Sequence, residues 1–153
     1  MIHYNHPTFE DNRGSYTPIS TSVIDIKWDQ CSISINEKPF TFRGMHYQVS
    51  PRQTKYVKVI KGSIIDFAYD MKSKELKHMK LGINDAVLIE KNLVHGFLTL
   101  EPDTIVTYMV KGAYNPSQEK SIPWNAIPEL HKIISNLVKE EQLVISEKDK
   151  EGK

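Results

Sequence analysis

A single cysteine, Cys31, in 153 residues leaves no partner for an internal disulfide and fits a reducing cytosol, so the expected location is cytoplasmic. Cys31 stands in the alternating run Cys31-Ser32-Ile33-Ser34-Ile35 without a flanking activation motif, which reads as a packed strand position and not as a nucleophile. A dominant charge is missing too: 20 Lys and Arg face 19 Asp and Glu, for a net charge of +1. No bulk field therefore recruits nucleic acid or an anionic membrane, and an anionic ligand has to be recognised by local residues. No apolar run approaches the ~20 residues of a membrane span, and the N-terminus lacks a signal-peptide core. There is no internal repeat, low-complexity segment or linker, and 1–153 reads as a single domain.

Helical periodicity is scarce, and strand patterns fill its place. Cys31 to Asn36 alternates in period two, while Lys55 to Lys61, Ser63 to Asp70 and Thr104 to Lys111 are rich in β-branched and aromatic residues. Ala86-Val87-Leu88-Ile89 fits a short buried strand. Gly62 joins two of these runs with almost no loop, a tight-hairpin signal. Many short strands at regular spacing favour an all-β sandwich or jelly-roll barrel, here over about 20–127. One helix is expected, over about 129–140, where Leu130, Ile133, Ile134, Leu137 and Val138 form one apolar face behind Pro128. After it, Val144-Ile145 is expected to reach back to the barrel before the charged end from Glu147 to Lys153 frays.

Metal ligands are missing where a metal-binding barrel would carry them. His46 in Arg43-Gly44-Met45-His46-Tyr47-Gln48 and His95 in Val94-His95-Gly96-Phe97 have cupin spacing. Gln48 replaces the second His of H-x-H, however, and Lys55, seven residues before the turn glycine Gly62, replaces the Glu. An ammonium repels a cation, so the site is expected to hold no metal and to take an organic ligand. A histidine base beside a lysine suits proton abstraction next to a carbonyl, with the lysine holding the developing enolate oxygen.

A wider ordered set of motifs surrounds these residues. Asp11-Asn12-Arg13-Gly14, the Arg43–Gln48 run, Lys55-Tyr56-Val57, His95-Gly96-Phe97, Tyr108, Tyr114-Asn115-Pro116, Ile122-Pro123-Trp124-Asn125 and Ile145-Ser146-Glu147-Lys148-Asp149 follow one another along the chain. Together they resemble the dTDP-4-dehydrorhamnose 3,5-epimerase family. That resemblance implies a cupin-like jelly roll with a short C-terminal helix, no cofactor and a nucleotide-diphospho-sugar substrate, dTDP-linked in the family. It also implies a homodimer that exchanges N-terminal strands. By the same resemblance His46 looks like the base, Asp149 the carboxylate that holds it, and Tyr108 the acid on the opposite face. Lys55 resembles the enolate-stabilising group, with His95 nearby. Arg13, Arg43 and Gln48 match positions lining the nucleotide-sugar site, and Tyr114 and Glu119 match its nucleotide end.

The chain departs from that pattern in places. Ser32 stands where an Asn is expected, and Glu90-Lys91-Asn92 replaces P-x-G, with Asn92 suited to a left-handed turn. Two other readings stay open: a 3,4-ketoisomerase of the same substrate class, against which Gln48 argues, and a barrel that binds a sugar nucleotide without turnover.

Overall fold

Period-two alternation of small, β-branched and aromatic residues produces twelve short strands in the computed structural model, which describes residues 1–19 and 25–152. One antiparallel sheet has the order β1 (Ile2–Asn5), β9 (Asp85–Ile89), β6 (Thr54–Lys61), β11 (Thr104–Lys111), β4 (Gln30–Asn36). The second has the order β12 (Glu119–Ser121), β5 (Phe42–Gln48), β10 (Val94–Thr99), β7 (Ile64–Asp70), β8 (Glu75–Leu81). A separate hairpin joins β2 (Phe9–Asp11) to β3 (Gly14–Tyr16). The expected strands all form, with ends shifted by a residue at most, whereas the expected start of the barrel near residue 20 lies outside the described residues.

Alternation sorts the apolar side chains into layers. Val57, Val59, Val87, Ile89 and Val106 of the first sheet meet Ile64, Ala68, Leu81 and Phe97 of the second, forming the core between the sheets. The outer face of the second sheet, with Phe42, Met45, Phe67 and Leu98, packs under helix α1 (Pro128–Leu137) through Leu130 and Ile134. The helix stops earlier than its periodicity suggested because Val138 turns extended and packs into the same core. Leu137 is 44% exposed, so the buried stripe is narrower than the sequence pattern. Among the described residues no helix is long and apolar enough to cross a membrane.

The structure differs from the sequence expectation at four places. Gly62 does not close a hairpin: β6 and β7 lie in different sheets, and the glycine, at φ +79°, turns the chain from one sheet to the other beside Thr104. Cys31 is on a strand but exposed, because edge strand β4 turns it to the outer face beside Thr107. Asn92 has no left-handed backbone. The charged C-terminal end does not fray over its described part. Ser146 caps a one-turn helix α2 (Glu147–Glu151), Gly152 ends it at φ +72°, and Asp149 is buried inside it. Val144 does reach the barrel, bridging Thr41 and exchanging backbone hydrogen bonds with Phe40 and Phe42.

Candidate active site

At one end of the barrel the inward rows of both sheets turn polar. Lys55 precedes Val57 and Val59 on the inward face of β6, and Tyr108 lies between Val106 and Val110 on β11. The second sheet contributes Arg43 and His46 from β5 and His95 from β10. These residues wall a cavity of about 370 Å³, within the ~300–1,000 Å³ usual for small-molecule sites.

Arg43 and His46 are three residues apart, and strict alternation would send them to opposite faces. A bulge prevents this: His95 pairs with His46 and Phe97 with Arg43, so three steps on β5 match two on β10. Glycines make the bulge possible. A Cβ on Gly44, at φ +148°, would lie 2.6 Å from the Gly96 Cα, and one on Gly96 would lie 2.9 Å from the Arg43 carbonyl.

Each histidine is held by a carboxylate. His46 Nε2 lies 2.7 Å from Asp149 Oδ1, and the Gly44 amide donates to Asp149 Oδ2 at 3.2 Å. His95 Nε2 lies 2.8 Å from Asp66 Oδ2. In the neutral tautomer these bonds place the proton on Nε2 and leave Nδ1 as the basic nitrogen of each ring. Burial alone would raise the Asp149 carboxyl, but the His46 and Gly44 hydrogen bonds and the Lys148 charge outweigh it and hold it below its ordinary value. Asp149 is thus an anion at 5% exposure, tied to a ring whose side chain is 26% exposed.

On the facing sheet, burial pushes the Lys55 ammonium below its ordinary value, and the carboxylates of Glu119 and Asp66 restore it only in part. Among the described residues none is close enough to hydrogen-bond that ammonium. Burial raises the Tyr108 phenol, with Arg43 opposing, so at neutral pH it is a protonated donor. At the mouth, Glu119 accepts from Tyr114 Oη at 3.3 Å and from Lys148. Burial works to raise the Glu119 carboxyl, and the Lys148 bond and charge more than offset it. Arg43, an exposed residue, lines the cavity, and its Nε donates to Asn36 Oδ1 at 2.8 Å.

Comparison with known proteins matches this architecture. The family model for dTDP-4-dehydrorhamnose 3,5-epimerase covers residues 1–153. The chain belongs to this epimerase family. The dTDP-4-dehydrorhamnose 3,5-epimerase of Methanothermobacter thermautotrophicus is 34% identical over 118 residues, 72% of this chain and 63% of that protein. The chain therefore spans less than two thirds of that relative's length. A Bacillus anthracis dTDP-4-dehydrorhamnose 3,5-epimerase solved with TDP and PPi bound superposes with TM-score 0.79 at 27% identity, covering 97% of this chain and 90% of that one. The Sulfolobus tokodaii enzyme gives TM-score 0.75 at 28% identity over 93% of this chain and 82% of that one. The cupin-type jelly roll of these epimerases is the fold of this chain.

Of the positions singled out from the epimerase resemblance, the fold brings His46, Lys55, His95, Tyr108, Asp149, Arg43, Tyr114 and Glu119 to one cavity. Two go elsewhere. Gln48 is 4% exposed, and its amide bonds the Pro51 and Ala113 carbonyls and the Asn115 amide. It holds the loop that carries Tyr114 and has no capacity left for a ligand in the main cavity. Arg13 is on the tip of the β2–β3 hairpin, its side chain 85% exposed and, among the described residues, paired only with neighbouring Asp11; it does not line the cavity. Sequence reading missed Asp66 and Lys148. Asp66 had a signal: a charge in register with inward Ile64 and Ala68 on an apolar strand, now fully buried with Oδ1 unpaired. Lys148 had none beyond standing next to Asp149. Among the described residues no cluster of three or more metal-ligating side chains occurs.

Proposed function

We propose that this chain is a cofactor-free epimerase of a nucleotide-linked 4-keto-6-deoxy sugar, inverting carbon 3, carbon 5 or both through an enolate, in deoxysugar biosynthesis. The observation that carries the reading is the division of labour across the cavity. His46, held by Asp149 of α2, stands on one sheet, and the protonated Tyr108 stands on the other with Lys55 beside it.

In this reading His46 removes the proton beside the ketone, and Asp149 stabilises the imidazolium that forms. Lys55, partly desolvated and without a hydrogen-bond partner among the described residues, meets the enolate oxygen as charge develops on it, an interaction stronger in the transition state than with the ketone. Tyr108 returns a proton from the opposite wall, which inverts the carbon. Asp66 fixes the His95 ring against the same cavity. Arg43 and Lys148 supply the cations a diphosphate needs. Tyr114 offers an exposed ring to the base, and the B. anthracis relative solved with TDP supports a thymidine nucleotide.

A homodimer and a cytoplasmic location belong to the same proposal. Ile33 and Ile35 are 70% and 64% exposed on edge strand β4, an apolar face suited to a second copy. Phe9 and Tyr16 are also exposed on the hairpin that carries Arg13, and exchange of this segment would hand Arg13 to a partner's cavity. The free thiol of Cys31 supports a reducing compartment.

The test is His46→Ala with a dTDP-4-keto-6-deoxy sugar in D₂O, followed by NMR. The unsubstituted chain is expected to place deuterium beside the ketone and invert the carbon, and the variant to do neither while still binding nucleotide. Wild-type-like exchange in the variant would remove His46 as the base. A keto group moved to carbon 3 would identify the ketoisomerase instead.

A further inference from the structure

A second pocket, of about 10 Å³, adjoins the main cavity and shares His46, Gln53, Lys55 and His95 with it. Leu93 and the exposed Lys91 also line it, and neither lines the main cavity. A pocket must offer about 10–15 Å³ and two to four polar partners to hold one water. Two imidazoles, an ammonium and an amide meet that requirement here. Lys55 has no hydrogen-bond acceptor among the described residues, and both histidines spend Nε2 on carboxylates, leaving Nδ1 on each ring. Tyr108 walls the main cavity only.

This asymmetry has a consequence for the proposed epimerase chemistry, on which the inference rests. Each inversion loads a proton onto His46, which must be shed before the ring can act as a base again. A sugar nucleotide filling the cavity blocks the way out through the mouth. We propose that the small pocket is a one-water site through which the proton on His46 passes to solvent while substrate is bound. The imidazolium N–H bond breaks as the water takes the proton, and a second water, from bulk solvent, takes it on. Neutral His46 and the site water are thereby regenerated. The outlet serves the base and not the acid, because it does not touch Tyr108.

Changing the size of Leu93 tests this. Leu93→Phe fills the pocket and Leu93→Ala widens it, and both leave the histidines and their carboxylate partners unsubstituted. A dTDP-4-keto-6-deoxy sugar is turned over in D₂O to low conversion. Deuterium in the recovered, uninverted substrate is then compared with the rate of inversion. Label in recovered substrate reports exchange of the His46 proton before it returns to the same face. The ratio of label to inversion is expected to fall severalfold in Leu93→Phe and to rise in Leu93→Ala; should the bulkier variant not fold, the smaller one still decides. A ratio unmoved in the folded variants would overturn the outlet. So would unlabelled recovered substrate from the unsubstituted chain while inversion proceeds, and in both cases the epimerase reading would stand. Neither label nor inversion in the unsubstituted chain would remove that reading and the outlet with it.

Discussion

Asp149 lies near a charged chain end, where fraying is the default, yet it is buried and bonded to both His46 and the Gly44 amide. The cap at Ser146 and the left-handed Gly152 hold it there. Its folded pKa is depressed, so its contribution to stability is complete above the unfolded carboxylate value near ~4 and is lost as pH falls through the lower folded value. Asp149→Asn is therefore expected to cost roughly 1.5–3 kcal/mol at pH 7, with the gap to the unsubstituted chain closing at acid pH, as read by urea unfolding. Turnover should fall by roughly 10²–10⁴ with nucleotide affinity little changed. At this scale His46, His95 and Lys55 were legible because their spacing survives in the linear sequence. The alternation rule alone did not reveal that Gln48 spends its amide on backbone, because a strand position says nothing about what its neighbours need. Asp66 was legible in principle, since a buried carboxylate on an inward apolar row calls for a polar partner, and His95 supplies it.

Strands and the late helix were readable from period, but connections and bulges were not. A glycine between two apolar runs signals a turn without saying whether the strands pair, and Gly62 instead carries the chain between sheets. The bulge at Gly44 breaks the same period, and it is what puts Arg43 and His46 on one face. Helix α1 shows how burial refines a pattern. Leu130 is fully buried while Leu137 is 44% exposed, although both sit on the apolar stripe. Leu130→Ala is expected to cost about 2–5 kcal/mol, and Leu137→Ala less than about 1 kcal/mol, measured by denaturant midpoints at unchanged slope. Equal losses would mean that the helix packs through its whole stripe.

Over the whole molecule, the outer face of the second sheet is covered by α1, whereas edge strand β4 of the first leaves Ile33 and Ile35 bare. If a second copy covers that face, Ile33→Lys with Ile35→Lys should shift sedimentation toward the monomer. The melting temperature of the monomer itself should move little, since both side chains already face outward. An unchanged sedimentation coefficient, or a monomeric parent chain, would place no partner there. Arg13→Ala should weaken nucleotide binding only in the dimer, because among the described residues of one chain its side chain pairs only with Asp11.

The account turns on a base and an acid on opposite sheets, and Tyr108→Phe separates them. The substitution keeps the ring and deletes only the hydroxyl of a side chain that lines the cavity. In D₂O, with a dTDP-4-keto-6-deoxy sugar, His46 should still remove the protons beside the ketone. Deuterium exchange with retained configuration is then expected to outpace inversion, because only the original face can be reprotonated. Equal loss of exchange and inversion, or inversion at the unsubstituted rate, would contradict proton transfer from the two walls.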